Sequence, residues 1–195
     1  MKKRVAILIS GRGSNMSALI EAAKAEDYPA EIVGVFSNKP EAAGLAIAQR
    51  EGVPVAAISH RGFTDRAHFE TAMTEVLDGW APDIVCLAGF MRLLTPEFTR
   101  RWEGRLINIH PSLLPLHKGL DTHEQALADG VAEHGCTVHF VTADMDEGPV
   151  ILQRRVPVLP GDTAESLAAR VLVEEHKAYP EALALVARGR AQFAR

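Results

Sequence analysis

The chain has 195 residues, with 21 Lys+Arg against 25 Asp+Glu and a formal net charge of −4. That balance argues against a general binder of nucleic acid or polyanionic surfaces, which would be strongly basic, but leaves room for one local anion pocket. One domain of this length buries roughly 70% of the surface its unfolded chain exposes, so its core needs neither disulfides nor a structural metal. The two cysteines, Cys86 and Cys136, lie in apolar runs outside any Cys-x-x-Cys pair, and read as small core residues in a reducing compartment. The basic start followed by Val5-Ala6-Ile7-Leu8-Ile9 is too short for a signal peptide and runs into Gly11-Arg12-Gly13. No apolar run reaches the ~18 residues of a membrane helix. The expectation is a cytoplasmic protein with no membrane and no nucleic-acid partner.

In chain order, 5–9 is a continuous β-branched-rich run, as in a strand buried on both faces of a parallel sheet. A glycine turn over 10–14 leads to helical apolar spacing over 15–25 through Met16, Leu19, Ile20 and Ala23. The alternation then repeats: strand 32–36, helix 42–49, strand 55–58, helix from about 65 to 77, strand 84–88, strand 106–109. Such alternation predicts βαβ units and a mostly parallel, Rossmann-like α/β sheet with helices on both faces. Segments 136–141 and 150–158, joined by the short acidic turn 142–148, predict an antiparallel pair closing one edge. Asp162 reads as the N-cap of a long final helix, with Glu165 three residues later, and Pro180 is expected to kink or restart that helix. With no repeat, low-complexity tract or linker, one domain over 1–195 is expected.

Four places stand out chemically. Ser10-Gly11-Arg12-Gly13-Ser14-Asn15 joins the first strand to the first helix, where glycines admit an anion and the helix N-terminus presents free N–H groups. Met16 replaces the third glycine of a dinucleotide fingerprint and strand two ends without an acid, so a phosphate suits the loop better than a dinucleotide. Asn108 and His110 share one face of a strand at period two, offering an amide donor beside an imidazole for an oxyanion and a proton. Asp144 and Asp146 follow strand 138–141, and a carboxylate reaching His110 would favour the imidazolium. Glu175 falls inside the apolar arc Leu167, Ala168, Val171, Leu172, Ala178, Tyr179 of the last helix, an unusual position for a carboxylate without a partner. The histidines form no zinc-binding pattern, and no serine sits in a G-x-S-x-G elbow, so metal catalysis and serine hydrolysis are not expected.

Ser10 to Asn15, Phe36-Ser37-Asn38, Leu87 to Arg92, Asn108 to Pro115, Gly119 to His123, His139-Phe140-Val141 and Asp146 to Gln153 occur in that order. Together they closely resemble the phosphoribosylglycinamide formyltransferases, folate-dependent enzymes of purine synthesis, over nearly the whole chain. The resemblance implies formyl transfer from 10-formyltetrahydrofolate, the co-substrate, to the amine of N1-(5-phospho-D-ribosyl)glycinamide (glycinamide ribonucleotide), without a metal. It makes Asn108, His110 and Asp146 catalytic. Gly13, Ser14 and Asn15 would hold the ribose phosphate, and Glu175 would contact the acceptor's ribose. Arg66, Met91, Arg92, Leu93, Leu94, Asn108 and the turn Thr142, Ala143, Asp144, Met145, Asp146 would line the folate site. It also implies a phosphate-binding half over about 1–100, a folate-binding and catalytic part over about 85–195, small-molecule substrates, and a monomer or homodimer. His117-Lys118 and Leu172 depart from relatives, the former putting a loop's shape in question and the latter one acceptor contact. A methionyl-tRNA formyltransferase should carry a further basic C-terminal domain and a formyltetrahydrofolate hydrolase an N-terminal regulatory one, and neither is expected in this chain. A non-enzymatic phosphometabolite sensor would keep the glycine loop without needing Asn108, His110 and Asp146 together.

Overall fold

The computed structural model describes residues 1–194. Seven strands form one sheet in the order β3-β2-β1-β4-β5-β6-β7. They are β1 (Lys3–Ile9), β2 (Ala30–Ser37), β3 (Val55–Ala57), β4 (Ile84–Leu87), β5 (Leu106–His110), β6 (Glu133–Phe140) and β7 (Val150–Pro157). The first five pair in parallel, and β6 runs antiparallel to both β5 and β7. The chain leaves β1 for β2 on one side and returns to β4 on the other, so the strand order reverses between β1 and β4. In open α/β sheets, ligands gather in the crevice beyond the carboxyl ends of strands at such a point.

The side-chain period of two explains why helices cover both faces. Val5, Ile7 and Ile9 of β1 pack with Met16 and Leu19 of α1 (Ser14–Ala23) and with Leu167, Val171 and Tyr179 of α6 (Ala164–Ala187). Ala6 and Leu8 pack on the opposite face with Phe69, Met73 and Leu77 of α3 (Arg66–Trp80). These five of the seven β1 residues have no exposed surface, and burying each large aliphatic side chain contributes about 1.5–3 kcal/mol. Helix α2 (Ala43–Arg50) completes the β2–β3 crossover. The Tyr179 hydroxyl, fully buried, donates to the Leu87 carbonyl at 2.7 Å and so ties α6 to the carboxyl end of β4. Cys86 and Cys136 are both buried free thiols, and burial pushes the Cys86 thiol up to about 12.

Several local expectations change in the folded chain. The last helix is capped by Thr163: its hydroxyl accepts from Ser166 N at 3.2 Å while Ser166 Oγ accepts from Thr163 N at 2.9 Å. Asp162 is drawn instead to Arg170, at 2.7 Å, and to Leu159 N. Pro180 lies inside α6 without ending it. A proline there costs about 3 kcal/mol, which is offset by the buried residues on either side, Tyr179, Ala182 and Leu183. Tyr28 also donates to the Pro180 carbonyl at 2.7 Å. Two short helices escape apolar periodicity, α4 (Pro96–Arg101) and α5 (Thr122–Asp129). The first has a recognisable start, Thr95 as N-cap followed by a first-turn proline. The second buries only Thr122 and Ala126, too little to show a 3.6-residue repeat. No helix among the described residues is long and apolar enough to cross a membrane.

Candidate active site

Asn108 and His110 end β5 on the face shared with Leu106, directed toward the α3 side of the sheet. The Asp146 carboxylate approaches His110 from the turn between β6 and β7. That turn folds tightly over the end of β6, since a Cβ on Gly148 would lie 1.6 Å from the Phe140 carbonyl oxygen. Asp146 takes a left-handed backbone, φ 56°, which aspartate tolerates better than most residues. Its Oδ1 lies 3.7 Å from His110 Nδ1, and its Oδ2 accepts from Gly119 N at 3.0 Å. His110 Nε2–H donates to the His117 carbonyl at 3.0 Å. The imidazole is therefore held between a backbone acceptor and a carboxylate. Both side chains of the His110–Asp146 pair are only 8% exposed, so their attraction is screened less than a surface pair.

A cavity of about 540 Å³ opens beside this pair. Its walls include Asn108, His110, His139 and Asp146 together with all of the loop Met91, Arg92, Leu93, Leu94 and the turn Thr142, Ala143, Asp144, Met145. Met91, Leu93 and Met145 remain exposed, an apolar rim suited to a flat organic group. Arg92 packs its guanidinium 5.7 Å from the Phe69 ring centre, and its Nε is buried without a hydrogen-bond partner. Arg66 is not part of the wall. It is exposed at the start of α3 and only touches the rim, 3.5 Å from the Leu93 carbonyl.

The departing pair His117-Lys118 has defined work in this loop. His117 packs its ring edge-on to His134, 5.7 Å between centres, and its Nε2 lies 2.8 Å from Asp129 at the end of α5. Lys118 pairs with Glu147 in the turn that carries Asp146. Both contacts brace the segment whose His117 carbonyl and Gly119 N–H hold His110 and Asp146.

The glycine loop sits beyond the carboxyl end of β1. Gly13 is the N-cap of α1, at φ 73°, and gives no side-chain cap, so the first N–H groups of the helix have no such partner. A Cβ there would meet the Gly44 backbone at 3.1 Å. Ser14 is exposed, while Asn15 is half-buried and donates from Nδ2 to Glu175 Oε1 at 3.1 Å. The structure thus brings Asn15 of α1 and Glu175 of α6 into contact. Glu175 is 8% exposed, and burial raises its carboxyl above the usual value, with the Asn15 hydrogen bond offsetting part of that rise. Asn15 Oδ1 is buried without a partner. Ser10 links the two halves of the crevice: its hydroxyl accepts from Met91 N at 2.8 Å and donates to Asn38 Oδ1. A separate cavity of about 500 Å³ between α1, α2 and α6 meets Ser14 and His176 but none of Asn108, His110 or Asp146. Leu172 is half-buried on α6, and nothing in the structure explains its departure.

Sequence reasoning assigned no role to His139, Gly119 or the His117 carbonyl. A polar residue in the buried strand β6 was the available signal for His139; the two backbone groups left none.

Residues 3–183 match the formyl transferase family. The chain is 46% identical over 186 residues to the phosphoribosylglycinamide formyltransferase of Escherichia coli, covering 95% of this chain and 88% of that one. It superposes on the crystal structure of phosphoribosylglycinamide formyltransferase from Brucella melitensis with a TM-score of 0.93, at 54% identity and complete coverage of both chains. It is also 54% identical to the trifunctional purine biosynthetic protein adenosine-3 of Bos taurus, matching over 96% of this chain but only 19% of that protein's length. A buried imidazole–carboxylate pair beside an amide donor, on this sheet and with this similarity over the full sheet, marks the chain as a member of the phosphoribosylglycinamide formyltransferase family.

Proposed function

We propose that the protein transfers the formyl group of 10-formyltetrahydrofolate to the amine of glycinamide ribonucleotide, giving the formylglycinamide ribonucleotide and tetrahydrofolate, in the cytoplasm. The observation that carries this reading is the cavity in which Asn108, His110 and Asp146 meet the 91–94 loop and the 142–148 turn. The apolar rim and the unpartnered Arg92 Nε suit a flat heterocycle bearing carbonyl groups. The exposed Arg66 would meet the charged end of the donor outside the cavity wall.

The acceptor enters from the glycine loop. The first N–H groups of α1, at Ser14 and Asn15 behind Gly13, take its phosphate, and Glu175 accepts from a ribose hydroxyl. The division into a phosphate-binding part over about 1–100 and a catalytic part over about 85–195 follows, with α6 returning Glu175 to the first part.

The amine attacks the formyl carbon, its lone pair forming the C–N bond while the carbonyl electrons move to oxygen. Asn108 Nδ2–H and His110 donate to that oxyanion. The carbonyl then reforms as the bond to the folate nitrogen breaks. The proton lost by the attacking nitrogen passes to the departing one through His110 or a water held by Asp146. Each preorganised donor of this kind is worth about 10²–10³ in rate.

The test is a spectroscopic assay of tetrahydrofolate release with and without glycinamide ribonucleotide. Release only with the acceptor supports the reading. Equal release without it would make the protein a hydrolase of the donor, and no release in either arm would remove the enzymatic reading.

A further inference from the structure

We propose that His139 is a positioning residue for the formyl transfer, acting by fixing which face of the Asn108 amide meets the reacting carbonyl. The inference deepens the reading above and rests on Asn108 being an oxyanion donor.

The register of the sheet places the two residues opposite each other, since Asn108 pairs with His139 in the antiparallel β5–β6 ladder. Opposed residues on one face lie close enough for their side chains to interact. Asn108 Nδ2 is 3.4 Å from His139 Nε2. The other ring nitrogen, Nδ1, is 2.9 Å from the Phe140 carbonyl oxygen. A carbonyl can only accept, so Nδ1 carries the hydrogen, and in the neutral ring Nε2 is left with its lone pair. An acceptor at Nε2 selects the NH₂ end of the amide; the flipped amide would set Asn108 Oδ1 against that lone pair. Asn108 then keeps one N–H on His139 and has its second N–H to offer elsewhere.

Burial supports the neutral ring. His139 is 2% exposed, and the loss of solvent holds its imidazole below the ordinary histidine value. The Phe140 hydrogen bond and the Asp146 charge act in the opposite direction, and the nearby His110 adds to the effect of burial. His139 therefore differs in task from His110, which faces the Asp146 carboxylate with its own Nδ1. It is a fixed acceptor behind the donor. It also borders the same cavity as Asn108.

The experiment is a double-mutant cycle on the full chain, using His139→Leu, His139→Gln and Asn108→Ala, alone and combined, with kcat and both KM values measured. His139→Leu removes the acceptor and is expected to lower kcat at least ~10-fold, since loss of orientation at a reacting centre is costly, with both KM values within about two-fold. His139→Gln, whose side-chain oxygen can accept from Asn108 Nδ2, is expected to recover most of kcat. In the Asn108→Ala background, His139→Leu is expected to cost nothing further. An undiminished penalty in that background would overturn the proposal, because His139 would then act other than through Asn108. Equal damage from Leu and Gln would overturn it too, whether through misfolding or lost packing, since an acceptor would not be what matters. If Asn108→Ala leaves kcat unchanged, the oxyanion assignment itself fails, a result distinct from failure of the His139 inference alone.

Discussion

Replacing Glu175 by glutamine separates the acceptor site's chemistry from its contribution to the fold. In the free protein the carboxylate is 8% exposed and has one side-chain donor, Asn15 Nδ2, at 3.1 Å. Burial raises its carboxyl above the usual glutamate value, so the folded chain holds this proton more tightly than the unfolded chain does. The sign follows from linkage: Glu175 contributes most to stability below its unfolded value of about 4.3, and that contribution is lost as pH rises through the raised folded value. At neutral pH, Glu175→Gln is therefore expected to raise the melting temperature, because glutamine keeps an acceptor for Asn15 without a charge to desolvate. The gain should shrink at acid pH. Acceptor binding should move the opposite way. A hydrogen bond to a charged group contributes about 1.5–3 kcal/mol and a neutral one about 0.5–1.5, so losing the charge should cost about 1–1.5 kcal/mol, near ten-fold in Kd. Calorimetric titration of glycinamide ribonucleotide and, separately, of a non-transferable formylfolate analogue would be paired with thermal melts at pH 5 and 7.5. A lower melting temperature at pH 7.5, or equal losses for both ligands, would refute the reasoning and make Glu175 a support of the whole pocket.

His110→Ala and Asp146→Asn are each expected to lower kcat by about 10²–10³ or more while leaving far-UV circular dichroism unchanged; a loss below five-fold would remove that residue from the chemistry. Gly13→Ala forces a side chain into φ 73° and toward the Gly44 backbone. It should destabilise the fold by about 1–2 kcal/mol and raise acceptor KM, with donor KM unchanged; a variant as stable as wild type would contradict the strain. His134 is held at about 4, first by burial and then by His123, His117 and His110. Its unfolded value is near 6.5, so the chain should lose stability as pH falls from about 6.5 to about 4. His134→Gln should flatten the slope of melting temperature against pH over that window, and an unchanged slope would assign the acid loss to other groups.

The parallel α/β architecture was readable from local pattern alone. Fully apolar strands, helical spacing between them and an acidic turn before the last strand are properties of neighbouring residues, and they specify βαβ units with an antiparallel edge. The same local reading reached Asn108 and His110, because period two puts both on one face, and Glu175, because 3.6-residue spacing puts it in an apolar arc. It erred where tertiary contacts compete with local preference. Arg170 captured Asp162 and left the cap to Thr163. Partners were beyond local pattern altogether. Asn15 meets Glu175 across 160 positions because β1 lies inside the sheet and α6 packs back over α1. Asp146 meets His110 because β6 turns antiparallel beside β5, and Asn108 meets His139 through the register of that pairing. Periodicity assigns a side chain to a face, whereas strand order and register decide what stands opposite it. Sequence by itself determined which face each candidate group occupies, and the sheet decided which of those groups stand together.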